Sequence, residues 1–167
     1  WMVLKIVVGI SGASGAIYGV RMIETLKKLK IEAHVVISRS AIKTIKHETN
    51  YTLKQLKSMS TFFYDPDDIG AKISSGSFLV DGMVIAPCSI KTLSSIANSF
   101  NDNLLTRAAD VTLKERRKLV ILLRETPLHL GHIKLMKSVT EMGGIILPPI
   151  ASFYHNLKNV DDIVLNS

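Results

Sequence analysis

The feature that most constrains the fold is a regular alternation of apolar runs with helical patterns along the chain. Runs rich in Val, Ile and Leu predict strands at residues 4–10, 33–38, 82–86, 119–124 and 144–147. Apolar residues at helical spacing predict helices at residues 16–29, 40–49, 53–59, 90–98, 103–112 and 133–142. Alternating strands and helices pair in parallel through right-handed crossovers. The order therefore predicts an α/β fold, a three-layer sandwich in which helices cover both faces of a parallel sheet.

Two segments depart from this alternation. Residues 51–80 are the least regular part of the sequence, and we interpret them as an excursion before the strand at 82–86. Residues 160–165 have the pattern of the first turns of an amphipathic helix, which is marginal in water unless it is packed. We therefore expect a single domain over residues 1–167, with a C-terminal helix that continues in the natural protein.

The composition argues against membrane and secreted proteins. Hydrophobic residues make up 47% of the 167 residues and charged residues 21%, which is typical of a soluble globular domain. No apolar run approaches the roughly 18–20 residues of a membrane span, and no basic-then-apolar leader is present. The single cysteine, Cys88, has no partner for a disulfide within the chain and fits a reducing compartment. These observations predict a cytoplasmic protein.

The net charge of +7 is compatible with nucleic acid, anionic lipid or small phosphorylated ligands. Most of the lysines are spread over predicted helix surfaces. The one dense block, residues 114–118, contains an acid and no interleaved aromatic residue. We therefore expect no nucleic-acid partner.

Polar residues follow each predicted strand, at the edge where open parallel sheets bind their ligands. The segments are 11–15, 38–40, 87–92, 124–127 and 153–155. Hydroxyl groups that open helices are also ordinary N-caps, so each serine alone has two interpretations. Together, these segments predict one ligand site at this edge.

The loop G-I-S-G-A-S-G at residues 9–15 lacks the spacing of a dinucleotide fingerprint, of a Walker motif and of a hydrolase elbow. What remains is a glycine-rich turn that presents backbone N–H groups at a helix N-terminus, a good anion site. Dinucleotide sites usually place an acid after the second strand, where this chain has Ser38 and Arg39. This difference favours a mononucleotide, with NADP, held by Arg39, as the weaker alternative.

Other reactive residues have simpler interpretations. Cys88 follows Pro87 at a strand end and is expected to be a small buried residue. His129 and His132 are three residues apart but have no third ligand nearby, so we predict a helix cap or a surface position and no metal site.

Several motifs together resemble the UbiX-like flavin prenyltransferases of the flavin-binding decarboxylase superfamily. The most specific are P-C-S-I-K-T-L-S at 87–94 and R-A-A-D-V-T-L-K-E-R-R at 107–117. They accompany G-I-S-G-A-S-G-A at 9–16, Arg124-Glu125, and Pro148-Pro149 with F-Y-H at 153–155. The likeness extends over essentially the whole chain.

The resemblance implies a Rossmann-like or flavodoxin-like fold, assembled as a dodecamer. It implies transfer of a dimethylallyl group from dimethylallyl monophosphate to N5 and C6 of reduced FMN, without a metal. The prenylated FMN would serve a UbiD-type decarboxylase, for example in ubiquinone biosynthesis. Two alternatives stay open: an FMN-dependent decarboxylase of the same superfamily, and a non-catalytic FMN-binding or carrier protein. The Pro-x-Met-Asn motif of the cysteine decarboxylases is absent from the sequence.

The resemblance also implies roles for individual residues. Those matching flavin contacts are Gly12, Ala13, Ser14, Gly15, Ser38, Ser89, Ile90, Lys91, Thr92 and Arg124. Those matching catalytic positions are Ser14, Glu48, Lys114 and Glu125. Those matching the pocket for the prenyl phosphate are Arg107, Lys114 and Tyr154. Cations and a phenol at the departing phosphate would stabilise charge as the allylic C–O bond breaks.

Overall fold

The computed structural model describes residues 3–167, with residue 155 described by its backbone alone. The strands are β1 (Lys5–Ile10), β2 (Glu32–Ile37), β3 (Phe62–Tyr64), β4 (Gly82–Cys88), β5 (Lys118–Leu123) and β6 (Ile145–Ile146). The helices are α1 (Ala16–Lys28), α2 (Arg39–Glu48), α3 (Leu53–Met59), α4 (Ile90–Ala97), α5 (Leu104–Lys114), α6 (Leu130–Glu141) and α7 (Val160–Leu165). Short 3₁₀ helices lie at Lys72–Ser74 and Phe153–His155.

The strands form one parallel sheet in the order β3-β2-β1-β4-β5-β6. The chain first runs outward from β1 to β3 and then crosses back to β4 on the other side of β1. This reversal creates a switch point between β1 and β4, where α/β sheets of this kind bind ligands. The predicted Rossmann-like α/β architecture is therefore confirmed.

Residues that alternate along each strand face two separate cores. On one face, Val7 and Ile85 pack with α4, α5 and α6. On the other face, Val8 and Val84 pack with α1, α2 and α3. Burial on both faces explains why these strands read as nearly continuous apolar runs. Each fully buried Ile or Leu contributes about 1.5–3 kcal/mol to the free energy of folding, so both layers hold the sheet firmly.

The structure corrects the interpretation of residues 51–80. This segment contains α3, as predicted, but also the missed strand β3, which pairs with β2 and extends the sheet. Three residues at a sheet edge are too few to show a periodicity of two. The other elements lie where the sequence predicts them, with α6 starting at Leu130 rather than at residue 133. Within residues 3–167, no helix is long and apolar enough to cross a membrane.

Candidate active site

Three loops meet at the carboxyl end of the sheet and enclose a cavity of about 290 Å³. They follow β1, β4 and β5, which are adjacent at the switch point. The lining residues are Gly12, Ala13, Ser14, Ser89, Ile90, Arg124, Glu125 and Thr126. The fold thus brings together at one cavity six of the predicted flavin contacts and two of the predicted catalytic residues.

Ser11 holds the first two loops together. Its buried hydroxyl donates to the carbonyl oxygen of Pro87 at 3.0 Å and accepts from the N–H of Ser89 at 2.7 Å. Its own N–H also donates to the Pro87 carbonyl at 3.1 Å. The loop after β5 joins them through the N–H of Arg124, which donates to the Cys88 carbonyl at 2.9 Å. The cavity walls are therefore fixed to one another by hydrogen bonds, as a preorganised site requires.

The glycine loop is shaped by two positions that exclude a side chain. Gly15 has φ of +95°, a left-handed conformation that other residues adopt only with strain. A Cβ on Gly12 would collide with the Ser40 side chain at the start of α2. Gly12 therefore lets the loop pack closely against the start of α2, and it lines the cavity together with Ala13.

Glu48, the last residue of α2, turns back onto the N-terminus of α1. One carboxylate oxygen accepts from the N–H of Gly15 at 2.7 Å and from the N–H of Ala16 at 3.0 Å. Burial alone would raise the pKa of Glu48, but the Ala16 N–H, the Ser14 hydroxyl and the Gly15 N–H outweigh it and lower that pKa. The positive charge of Arg124 lowers it further. The anion expected at this helix N-terminus is therefore the protein's own carboxylate.

Arg124 and Glu125 place opposite charges side by side in the cavity wall. Arg124 is half-buried, whereas Glu125 is exposed and accepts from the N–H of Thr126 at 3.0 Å. The arrangement offers a cation for a phosphate and a carboxyl group that can exchange protons with a bound ligand.

The helix-opening serines are N-caps. Ser89 accepts from the Thr92 N–H at 3.3 Å, and Ser38 accepts from the Ala41 N–H at 3.2 Å. Ser89 also lines the cavity, whereas Ser38, Lys91 and Thr92 lie outside its lining. Both hydroxyls thus use a lone pair for capping. Their role as flavin contacts stays a prediction.

Arg39 is engaged away from the cavity. Its guanidinium pairs with Asp65 at 3.2 Å and with Asp67, both in the loop that follows β3. An arginine held by two carboxylates is a poor ligand for a ribose phosphate. The NADP alternative therefore receives no support from this geometry.

The residues predicted to hold the prenyl phosphate do not line the cavity. Lys114 ends α5 just before β5, at the opposite edge of the sheet, and pairs with Glu115. Since β5 has six residues at about 3.3 Å each, that edge lies about 20 Å from the cavity. Arg107, on α5, donates to the Ser74 carbonyl and pairs with Asp110. Tyr154, 84% exposed, lies beyond β6.

Cys88 and the two histidines have the structural roles predicted for them. Cys88 is fully buried, and burial raises the pKa of its thiol, so it is a packing residue. His129 caps α6 by accepting from the Gly131 N–H at 3.0 Å, with His132 stacked on it. Among the described residues, no group of three or more His, Cys, Asp or Glu side chains could hold a metal ion.

Comparison with known proteins adds an independent observation to this geometry. The Flavoprotein family model matches residues 3–165. The chain is 59% identical over 164 residues to flavin prenyltransferase UbiX of Thauera aromatica, covering 98% of this chain and 84% of the relative. The chain belongs to the UbiX family of flavin prenyltransferases.

Solved UbiX-family structures have the same fold. AnUbiX, solved in complex with FMN and dimethylallyl pyrophosphate, superposes with a TM-score of 0.97 at 41% identity, covering 99% of this chain and 88% of that one. A dodecameric FMN-dependent UbiX-like decarboxylase from Escherichia coli O157:H7 gives 0.94 at 44% identity, covering 96% and 88%. The family resemblance drawn from the motifs is therefore confirmed.

The cavity of this UbiX-family chain suits a flavin mononucleotide. Gly12 and Ala13 add little side-chain bulk to the cavity wall, and Ile90 offers an apolar contact to a ring system. Serine and threonine hydroxyls together with Arg124 supply partners for carbonyl and phosphate oxygens. Polar groups that converge on a preformed cleft are typical of cofactor sites.

Proposed function

We propose that this chain transfers a dimethylallyl group from dimethylallyl monophosphate to N5 and C6 of reduced FMN. The product is the prenylated FMN used by UbiD-type decarboxylases, and the reaction takes place in the cytoplasm. The observation that carries this proposal is the cavity in which the 12–14 loop faces Arg124 and Glu125. It lies in a chain 59% identical to a flavin prenyltransferase.

The chain's main contribution is to position two substrates. Reduced FMN supplies the nucleophilic N5 and C6 atoms when bound. Gly12, Ala13, Ser14 and Gly15 form the flavin side of the site, and Arg124 holds an anionic group next to it. Fixing two reactants in contact removes much of the entropy barrier of a bimolecular reaction.

Proton handling is assigned to three residues. Glu125, exposed at the cavity wall, delivers a proton to the departing phosphate. Ser14 and Glu48 form a linked pair at the flavin side, because the Ser14 hydroxyl is among the groups that lower the pKa of the Glu48 carboxylate. Glu48 stays ionised in this setting and can receive a proton passed through Ser14.

The phosphate pocket is completed by other subunits. Lys114 lies at the far edge of its own sheet and can reach a cavity only in a neighbouring copy. Arg107 and Tyr154 complete the same group. Exposed apolar side chains on and beyond α6 favour such contacts: Leu130, Ile133, Ile145, Leu147, Ile150 and Phe153. A dodecamer is the assembly proposed, like that of the dodecameric E. coli O157:H7 protein.

Mass spectrometry of the flavin tests the reaction directly. Purified protein is incubated without oxygen with reduced FMN and either dimethylallyl monophosphate or the diphosphate. We expect flavin heavier by one prenyl unit with the monophosphate. Unchanged FMN with both donors would leave only a binding or decarboxylase function. Protein that takes up no FMN would overturn every flavin-based interpretation.

Subunit mixing tests the shared pocket. Lys114→Ala and Glu125→Gln proteins are each expected to be inactive, since each lacks one half of every site. Dissociating and reassembling them together should restore part of the activity, because some sites then combine an intact Lys114 with an intact Glu125. Reassembly of Glu125→Gln protein alone is the control. Activity that fails to return in a reassembled mixture would place both residues in one subunit.

A further inference from the structure

We propose that Glu48 makes this site selective for mononucleotides, by occupying the place where a dinucleotide would put its pyrophosphate. This selectivity presupposes the FMN-binding role proposed above. It concerns binding specificity and is separate from any proton transfer by Glu48.

The fold defines where a dinucleotide would lie. In sheets with the order 3-2-1-4-5-6, the pyrophosphate rests on the N-terminus of the helix after β1, and the adenosine lies toward β2 and β3. In this chain that helix is α1, preceded by the left-handed Gly15. The N–H groups that would meet the pyrophosphate are those of Gly15 and Ala16.

Those two N–H groups already have an anionic partner. Both donate to the same oxygen of Glu48, at 2.7 and 3.0 Å. The carboxylate resembles a phosphate oxygen in charge and in hydrogen bonding, and it is tethered to α2. A second phosphate arriving here would find its donors occupied and would face a like charge, so its binding is disfavoured.

The adenosine side of the site is filled as well. Ser40 packs against Gly12 so closely that a Cβ there would have no room. Beyond it, Arg39 bridges from the end of β2 to Asp65 and Asp67 after β3. Side chains that follow two neighbouring strands, β2 and β3, thus lie over the half-site that binds adenosine in dinucleotide enzymes.

A binding experiment with two probes tests this role. FMN and FAD are titrated by flavin fluorescence, and ADP, which carries two phosphates and adenosine without flavin, by calorimetry. For Glu48→Ala we expect two quantities, the ratio of FAD affinity to FMN affinity and the affinity for ADP, each to rise at least about tenfold over the unmodified chain. The reason is that the substitution frees two N–H donors and removes one repulsive charge. Glu48→Gln, which keeps the volume and loses the charge, should show a smaller rise.

Glu141→Ala is the matched control, because Glu141 is an exposed carboxylate on α6 that pairs with Lys137. It should leave both quantities unchanged. Folded Glu48→Ala and Glu48→Gln proteins whose ratio and ADP affinity equal those of the unmodified chain would overturn the proposal. If the unmodified chain binds no FMN, the proposed function fails, and the ADP arm still decides the role of Glu48.

Discussion

The two halves of the sheet's carboxyl edge differ in what fills them. Over β1, β4 and β5, backbone loops and a few polar groups leave a cavity of about 290 Å³. Over β2 and β3, the chain's own charged side chains pair with each other and close the surface. The topology offers a half-site on each side of β1. The residues after each strand therefore decide which half can receive a ligand.

The two carboxylates nearest the cavity show the same contrast. Glu48, on the closed half, already accepts two backbone N–H groups, which hold its charge in place. Glu125, on the open half, is exposed beside Arg124. A carboxylate with few fixed partners exchanges protons readily, whereas one held by several donors is a weaker base and takes up a proton less readily.

The largest effect is expected at Glu125, on the open half. Glu125→Gln should lower the turnover number by about 10²–10⁴-fold, the usual contribution of a general acid. FMN affinity should stay within about threefold, because the amide keeps the shape of the side chain. The rate of prenylated-flavin formation without oxygen measures the effect. Turnover equal to that of Glu141→Gln would remove Glu125 from proton transfer.

A second change loosens the wall of the open half. Ser11→Ala removes a buried hydroxyl that bonds Pro87 and Ser89. The Pro87 carbonyl keeps the Ser11 N–H, but the Ser89 N–H is left unpaired. This should lower the free energy of unfolding by about 1–3 kcal/mol, measured by urea denaturation with and without FMN. Ser77→Ala, which removes an exposed hydroxyl, is the control. A loss no larger than the control's would mean that Ser11 does not join the loops.

The third prediction concerns pH and the closed half. The pKa of Glu48 is lower in the folded chain than its usual value of 4.5, so its contacts stabilise the fold above that pH. The stabilisation should disappear as the pH falls below 4.5 through the lowered pKa. Melting temperatures from pH 7 to pH 3 should therefore show a smaller acid-induced drop for Glu48→Gln. Parallel curves for the two proteins would contradict this.

The smallest effect is expected at Arg39. Its ion pairs with Asp65 and Asp67 are exposed, so Arg39→Ala should change the free energy of unfolding by less than about 1 kcal/mol. FMN affinity should not change, since Arg39 does not line the cavity. Lys43→Ala, at an exposed position on the same helix, serves as the control. A large loss of FMN binding would show that the flavin extends over the half described as closed.

The sequence was sufficient where patterns are local. Apolar runs located the long strands, and the residues after β1, β4 and β5 located the cavity. β3 was missed because three edge residues carry no periodicity. The two bonds that Glu48 accepts from Gly15 and Ala16 were also beyond sequence reasoning, because they join residues 33 and 32 positions apart, with α1, β2 and α2 between them. The ion pairs of Arg39 with the loop after β3 depended on the missed strand.

The hydrogen bonds of Ser11 determine when the site forms during folding. Its two side-chain bonds join positions 76 and 78 residues apart, across the pairing of β1 with β4. Closing so long a stretch of chain is slow, and the bonds form only once that pairing exists. The cavity is consequently a late product of folding. Flavin should stabilise the completed native state and no earlier species, so its uptake during refolding marks the final step.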